Sequence, residues 1–417
     1  MRPKGYLRPD YPAIPITTGD NMQKRHFITM LSGAMLTGFA DLARAQRSGT
    51  PGVTDREIKI GQTLPLSGPA ASYATIGKAL AAWFDFVNVQ GGVNGRKLSL
   101  VQLDDGYSPP KTVEQSRRLV EREQVAFVAS PVGTPTGVAA RGYFNSAKVP
   151  QLFIGSGAAT WAEDAAKFPW SLGWQPLFTD EGRTMAKHIL QTRPNAKIAV
   201  LYQNDDAGKD LLRGLKEGLG AAVKQIVREE SHEVTDPTVD SQVVTMQASG
   251  ADVLVMWGSP KATIQSLRKA YDIGWKPTIY INQNSSSVPK VLAPVGLDKV
   301  KGVISAAFLK DPADPTWKDG PSLLAWNAFM DEYNSGAAKD YNAVYGTCIA
   351  QTVVQVLKQC GNDLSRENIV RQTRRLDMEL PMMLPGLRIK TSDTQPHPVT
   401  GLRLQQFDGS NWKLMSA

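Results

Sequence analysis

Hydrophobic residues along this chain fall into two alternating patterns: short continuous apolar runs and longer stretches of helical spacing. The runs at 58–64, 98–103, 125–129 and 151–154 read as strands buried on both faces. Between the first two, residues 77–89 put Leu80, Phe84 and Val87 on one helical face. The cluster Gly91-Gly92-Val93-Asn94-Gly95-Arg96-Lys97 turns the chain into the second strand, and Asp104-Asp105 ends it. Ser108-Pro109-Pro110 caps a helix carrying Glu114, Arg117, Leu119 and Val120, which leads into the third strand. Strand, helix and strand in this order make a βαβ unit, the building block of parallel sheets covered by helices on both faces.

A second series begins near residue 176. It reads as strand 197–202, a Gly-punctuated helix to Leu219, strand 223–227, helix 241–248, strand 253–257, helix 262–271 and strand 278–281. Past about residue 303 the spacing is helical at 323–333 and 341–359, and residues 401–415 alternate like paired strands. Two βα series joined near residues 170–176 predict two doubly wound lobes with a ligand cleft between them.

Length and charge refine this picture. A chain of 417 residues exceeds one ordinary core, and 42% apolar with 21% charged residues is the balance of a soluble globular protein. The net charge is +8, but residues 1–45 hold six basic and three acidic side chains, which leaves +5 for the rest. Those charges are interspersed, with no basic block beyond Arg374-Arg375, so no nucleic-acid partner is expected. The basic excess at the start has its own meaning. Lys24-Arg25-His26 precedes an apolar run from Phe27 to Ala40, and Ala43-Arg44-Ala45 offers a small-x-small cleavage site. Residues 22–45 therefore read as a secretory signal peptide, with Met22 as the initiator and residues 1–21 as a non-native N-terminal extension. No other stretch approaches the roughly 20 apolar residues of a membrane span. No lipobox cysteine follows the signal, so no lipid anchor is expected.

Chemistry is sparse. Outside the signal, His188, His232 and His397 stand singly, and no His pair at helical spacing or Cys cluster suggests a metal. Gly77-Lys78 has Ser72, and Gly208-Lys209 has Gln203, where a phosphate loop needs its leading Gly. Gly155-Ser156-Gly157 lacks the spacing of a nucleophile elbow. No catalytic residue, metal or cofactor is expected. Cys348 and Cys360 are twelve residues apart on a predicted helix. That places them about 18 Å apart, beyond the roughly 7 Å reach of a disulfide, so both should be buried or half-buried thiols. What the chain does offer is four strand-end loops of small, hydroxylated or aromatic residues, at 67–73, 130–136, 155–161 and 257–261. Such loops present amides and hydroxyls to a small anion, and together they predict a binding cleft.

Several of these segments carry a family likeness. Leu66-Ser67-Gly68-Pro69, the Gly-Gly-Val-Asn-Gly-Arg-Lys turn, Asp104-Asp105 with Ser108-Pro109, Leu119-Val120 and Asn204-Asp205-Asp206-Ala207-Gly208-Lys209-Asp210 occur in order behind the signal. Over residues 58–376 the chain resembles the leucine/isoleucine/valine-binding family of periplasmic receptors for ABC transporters. The resemblance implies an α/β type I periplasmic-binding-protein fold: two doubly wound parallel-sheet lobes joined by hinge strands. Lobe 1 would comprise 55–175 and 303–388, and lobe 2 would comprise 176–302 and 389–417. It further implies a periplasmic monomer that captures a small-molecule ligand and delivers it to ABC permease membrane subunits.

Binding positions carry over unevenly from that resemblance. Tyr73 falls where the family has an aromatic ring over the ligand. Val132, Gly133 and Thr134 match the loop whose amides and hydroxyl hold a carboxylate, and Ala158 and Thr160 match the loop that completes it. In the second lobe Ala207 replaces the usual tyrosine, with Asp206 beside it, and Trp257 lies close to another aromatic contact position. The acidic partner of an α-ammonium would fall near Asn284, Ser285 and Ser286, where no carboxylate occurs. An unpaired ammonium costs several kcal/mol to bury, against about 8 kcal/mol for a micromolar ligand. The implied cargo is therefore a carboxylate with an apolar or aromatic body, such as an aromatic or oxo acid. Asp205 or Asp206 could supply the missing anion, which keeps branched-chain amino acids open. The competing readings are a ligand-sensing regulator on the same fold, which would normally lack an export signal, and an α/β enzyme, which would need a polar catalytic cluster in the cleft.

Overall fold

A computed structural model describes residues 49–415; the expected signal peptide, residues 22–45, and the extension before it lie outside the described residues. Its first sheet holds β1 (Glu57–Leu64), β2 (Lys97–Asp104), β3 (Phe127–Ala129), β4 (Gln151–Ile154) and β5 (Ser171–Gly173). All are parallel, in the order β2-β1-β3-β4-β5. The intervening helices are α1 (Ala74–Val89), α2 (Pro109–Glu121), α3 (Thr134–Ser146) and α4 (Thr160–Glu163). After α5 (Phe178–Thr192) the chain builds a second sheet from β6 (Ile198–Gln203), β7 (Ile226–His232), β8 (Val253–Trp257), β9 (Thr278–Ile281) and β10 (Ile304–Ala307). The helices α6 (Asp206–Leu219), α7 (Asp240–Ala248), α8 (Pro260–Asp272) and the single turn α9 (Ala293–Val295) lie between these strands.

These five strands are again parallel, in the order β7-β6-β8-β9-β10. The two sheets thus repeat one winding, in which the chain steps outward on one side of the first strand and then reverses to the other. Strands β3, β4, β6 and β8 are buried along nearly their whole length, which is why they read as continuous apolar runs.

From β10 the chain forms α10 (Pro321–Tyr333), α11 (Tyr341–Cys360), α12 (Arg366–Thr373) and a ribbon of β11 (Asp377–Met378) with β12 (Ile389–Lys390). It then returns to the second sheet as β13 (Arg403–Phe407) and β14 (Trp412–Leu414), antiparallel beyond β10. Helix α11 lies backbone-to-backbone on α1: a Cβ on Gly346 would sit 2.2 Å from the Ile76 carbonyl oxygen. That close approach brings the first turn of α11 to the same sheet end as Tyr73.

Two local expectations need correcting. The strand expected at 223–227 instead starts at Ile226 and runs to His232, because Gly220, with φ of 53°, ends α6 and the chain winds a 3₁₀ turn through Gln225. Strand β7 is the sheet edge, and Val223 and Val227 are exposed there, so their apolar pattern did not mark a core strand. Ser108 stands at the N-cap of α2, yet its side chain makes no cap hydrogen bond. Asp105 organises that turn instead, accepting from the Tyr107 amide at 2.9 Å and the Thr112 hydroxyl at 3.1 Å.

Cys348 and Cys360 are both free and buried on α11. Among the described residues no helix is long and apolar enough to cross a membrane, and no acidic, His or Cys cluster could hold a metal ion.

Candidate functional site

In each sheet the winding reverses between the first strand and the third, at β1/β3 and at β6/β8. Loops leaving the carboxyl ends of such neighbours diverge and open a crevice. The first sheet sends three loops into it. Asp104 ends β2 by accepting the amides of Leu66 at 2.9 Å and Ser67 at 3.2 Å, which pins the loop after β1. Burial alone would raise this carboxyl. The Ser67 hydroxyl, the Gly106 amide and the Lys111 ammonium hold it well below the usual carboxylate range. That loop then winds one 3₁₀ turn that delivers the buried Tyr73.

Beside it, Tyr107 adopts a left-handed φ of 61°, sparsely populated for a bulky residue and held here by Asp105. The third loop opens α3 through Gly133, at φ of 111°. A Cβ there would lie 2.5 Å from Thr136 Oγ1 and 2.6 Å from the Tyr107 ring, so only glycine fits.

These loops meet the second sheet around a narrow crevice. Its walls carry the rings of Tyr73, Tyr107, Phe178, Trp257, Tyr341 and Tyr345. The polar groups among them are neutral: Thr134, Gln175, Asn284 and Asn342. No lining side chain among the described residues is charged. Gln175 ties the walls together, donating to Asn284 Oδ1 at 3.3 Å and accepting from the Tyr345 hydroxyl at 3.0 Å. Burial pushes the Tyr73 and Tyr107 phenols up and keeps them neutral; the nearby Asp205 carboxylate adds to the effect on both.

Of the residues singled out from sequence, Tyr73, Val132, Gly133, Thr134 and Trp257 come together in this cavity. Others lie behind it. Ala158 and Ala207 are buried in one apolar core that runs between the sheets. Thr160 turns away, its hydroxyl bonded to Asp164 at 2.7 Å and Arg141 at 2.8 Å. Asp206 is exposed on the first turn of α6. Ser285 is buried, donating to the Gly258 carbonyl at 2.8 Å, with Tyr73 as a further partner. Asp205 caps α6, accepting from the Gly208 amide at 3.1 Å, and also holds Gln203.

The amides of the predicted carboxylate loop are also partly committed. Val132 donates to the Thr63 carbonyl, Gly133 to the Gly155 carbonyl and Ala158 to Ser156 Oγ. The amides left outside the ladder of α3 are those of its first turn, Thr134 and Thr136, since Pro135 has none. Sequence reading missed Tyr107, Gln175, Phe178, Tyr341, Asn342 and Tyr345. Only the α11 group had a local signal: Asp340 caps that helix, and Tyr341, Asn342 and Tyr345 share its first turns.

Farther back, Glu181 of α5 is wholly buried, accepting from the Gln283 amide at 2.8 Å. Burial pushes its carboxyl up to about 8, against that hydrogen bond. Gln283 in turn accepts from the Tyr341 hydroxyl at 3.2 Å. Between α4 and α6, Asp210 Oδ2 accepts from the Ala159 amide at 2.7 Å and Arg213 pairs with Glu163 at 3.0 Å.

Two doubly wound sheets of the same winding thus meet at a neutral, ring-lined crevice. Residues 57–411 match the family model for periplasmic binding proteins, and the chain belongs to that family. The Leu/Ile/Val-binding protein homolog 7 of Brucella suis biovar 1 (strain 1330) is 23% identical over 305 residues, covering 71% of this chain and 73% of that protein. A solved structure of a possible leucine/isoleucine/valine-binding protein from Rhodopirellula baltica SH 1 superimposes with a TM-score of 0.76 at 18% identity, covering 89% of this chain and 98% of the other. The solute-binding protein of an ABC transporter from Rhodopseudomonas palustris BisB5, solved in complex with 3,4-dihydroxy benzoic acid, gives 0.74 at 18% identity, covering 86% and 96%. These neighbours share the type I periplasmic-binding fold.

Proposed function

We propose that this protein is the extracytoplasmic solute receptor of an ABC importer, exported by residues 22–45 and acting in the periplasm. Its two lobes, 55–175 with 303–388 and 176–302 with 389–417, close on a small carboxylate with an aromatic or apolar body. One observation carries the ligand class: among the described residues, six aromatic rings and no charged side chain line the cavity. The carboxylate goes to the N-terminus of α3, where the amides of Thr134 and Thr136 are outside the helical ladder and the helix dipole favours an anion. The Thr134 hydroxyl, 2.6 Å from that of Ser156, completes the seat. An α-ammonium would meet Asn284 in place of an anion, at a desolvation cost of several kcal/mol. Binding of 3,4-dihydroxy benzoic acid by a structural neighbour supports the same class. The closed protein would hand its cargo to the permease unaltered.

A second reading, a branched-chain amino acid, is favoured by Asp205, whose charge reaches both Tyr73 and Tyr107, and by the names of the relatives. Calorimetry of residues 46–417 with benzoate, 4-hydroxybenzoate, phenylpyruvate and leucine separates the two. We expect micromolar binding of an aromatic or oxo acid and none of leucine. Leucine binding in that range, with no desamino acid bound, would overturn the proposal.

A further inference from the structure

Buried indole N–H groups normally find an acceptor, and four of the most deeply buried tryptophans here do. Trp161 donates to Ser156 Oγ at 2.8 Å, Trp174 to Thr352 Oγ1 at 3.2 Å, Trp326 to Thr347 Oγ1 at 3.2 Å and Trp412 to the Ser286 carbonyl at 2.8 Å. Trp257 breaks the pattern. It is 4% exposed and lines the cavity, yet its Nε1 has no acceptor. Among the described residues lining the cavity, no other has a buried side-chain donor left unmatched. The ring beside it, Phe178, packs edge-on at 5.1 Å and offers no oxygen.

We propose that the Trp257 indole N–H donates to an oxygen of the bound ligand, which makes it a specificity-determining group. Trp257 closes β8 of the second sheet, whereas the α3 terminus belongs to the first. With the carboxylate seated on α3, the oxygen that meets Trp257 is a second acceptor elsewhere on the molecule. The cargo is then a carboxylate whose apolar body carries a ring hydroxyl, ether or oxo oxygen. A purely hydrocarbon acid would leave the N–H buried and unmatched, and would bind more weakly. This inference rests on the carboxylate-receptor reading above.

The test uses two pairs of probes of similar size, 4-hydroxybenzoate with 4-methylbenzoate and 3-hydroxybenzoate with 3-methylbenzoate. Each is titrated calorimetrically into the wild-type protein and into Trp257→Phe, which keeps a ring and removes the N–H. In wild type one hydroxy acid should bind about 3- to 10-fold tighter than its methyl partner. In Trp257→Phe that preference should fall to about onefold, with the methyl acid's Kd changed less than about twofold. The indole ¹⁵N–¹H resonance of Trp257, assigned by its absence in the variant, should move on adding the hydroxy acid and exchange more slowly with solvent. An undiminished preference in Trp257→Phe, equal weakening of both partners, or an unmoved resonance would overturn the inference while leaving the receptor reading intact. Binding of leucine with neither aromatic pair bound would overturn both.

Discussion

The two sheets wind in the same order, yet they present unlike walls to the crevice. In the function proposed above, the first sheet's wall holds the anion. It has a helix N-terminus with uncommitted amides, a glycine that only fits without a Cβ, and a tyrosine held at positive φ. The second sheet's wall offers rings and amides, namely Trp257 and Asn284, and the Asp205 carboxylate is spent on capping α6 and holding Gln203. Identical topology therefore does not imply identical chemistry. Winding sets where the loops open, and the residues at the strand ends set what they can hold.

The sharpest way to break the comparison is Gly133→Ala. A methyl group would collide with Thr136 and Tyr107 at a backbone angle that alanine rarely adopts. We expect a loss of about 1–3 kcal/mol in stability by denaturant unfolding and at least about tenfold in ligand affinity. A variant that binds normally would show that the α3 turn is not the anion seat. Tyr73→Ala removes a buried ring from the same wall and should weaken binding by about 1–3 kcal/mol. An unchanged Kd would place the ligand elsewhere.

Asn284→Asp sharpens the contrast by giving the second wall the charge it lacks. It should weaken an aromatic acid by about tenfold and create measurable leucine binding, a gain of about 1.4 kcal/mol or more. Failure to gain leucine binding would mean that Asn284 does not face the ammonium position.

A pH-dependent effect concerns Glu181, behind the second wall. Its carboxyl is raised from 4.5 to about 8 on folding, so the folded state holds a proton that the unfolded state releases. This contribution to stability is present at low pH and is lost as pH rises between those values, by at most about 1.4 kcal/mol per pH unit. Glu181→Gln keeps an acceptor for the Gln283 amide and should flatten that slope, raising Tm at pH 8 relative to wild type. Parallel melting curves for the two proteins between pH 5 and 8 would contradict it.

Strand and helix alternation was legible from the chain alone because each element is encoded by its own residues. Gln151–Ile154, Val253–Trp257 and Thr278–Ile281 are strands at the positions their apolar runs mark. The loops that bring Tyr73, Val132, Gly133, Thr134 and Trp257 to the cavity follow from the same logic, since strand ends on one sheet edge must lie together. Local pattern failed where burial was the deciding quantity, as at the edge strand β7, whose Val227 faces solvent.

Tertiary structure alone decided the rest. Tyr107 reaches the cavity only because Asp105 holds it in a strained turn against Gly133. Tyr341 and Tyr345 reach it because α11 lies on α1, hundreds of residues earlier in the chain. Whether an amide or a carboxylate is free to bind depends on hydrogen bonds that form between distant segments. Thr63 with Val132, Gly155 with Gly133 and Asp210 with Ala159 are paired by packing, which no local spacing records.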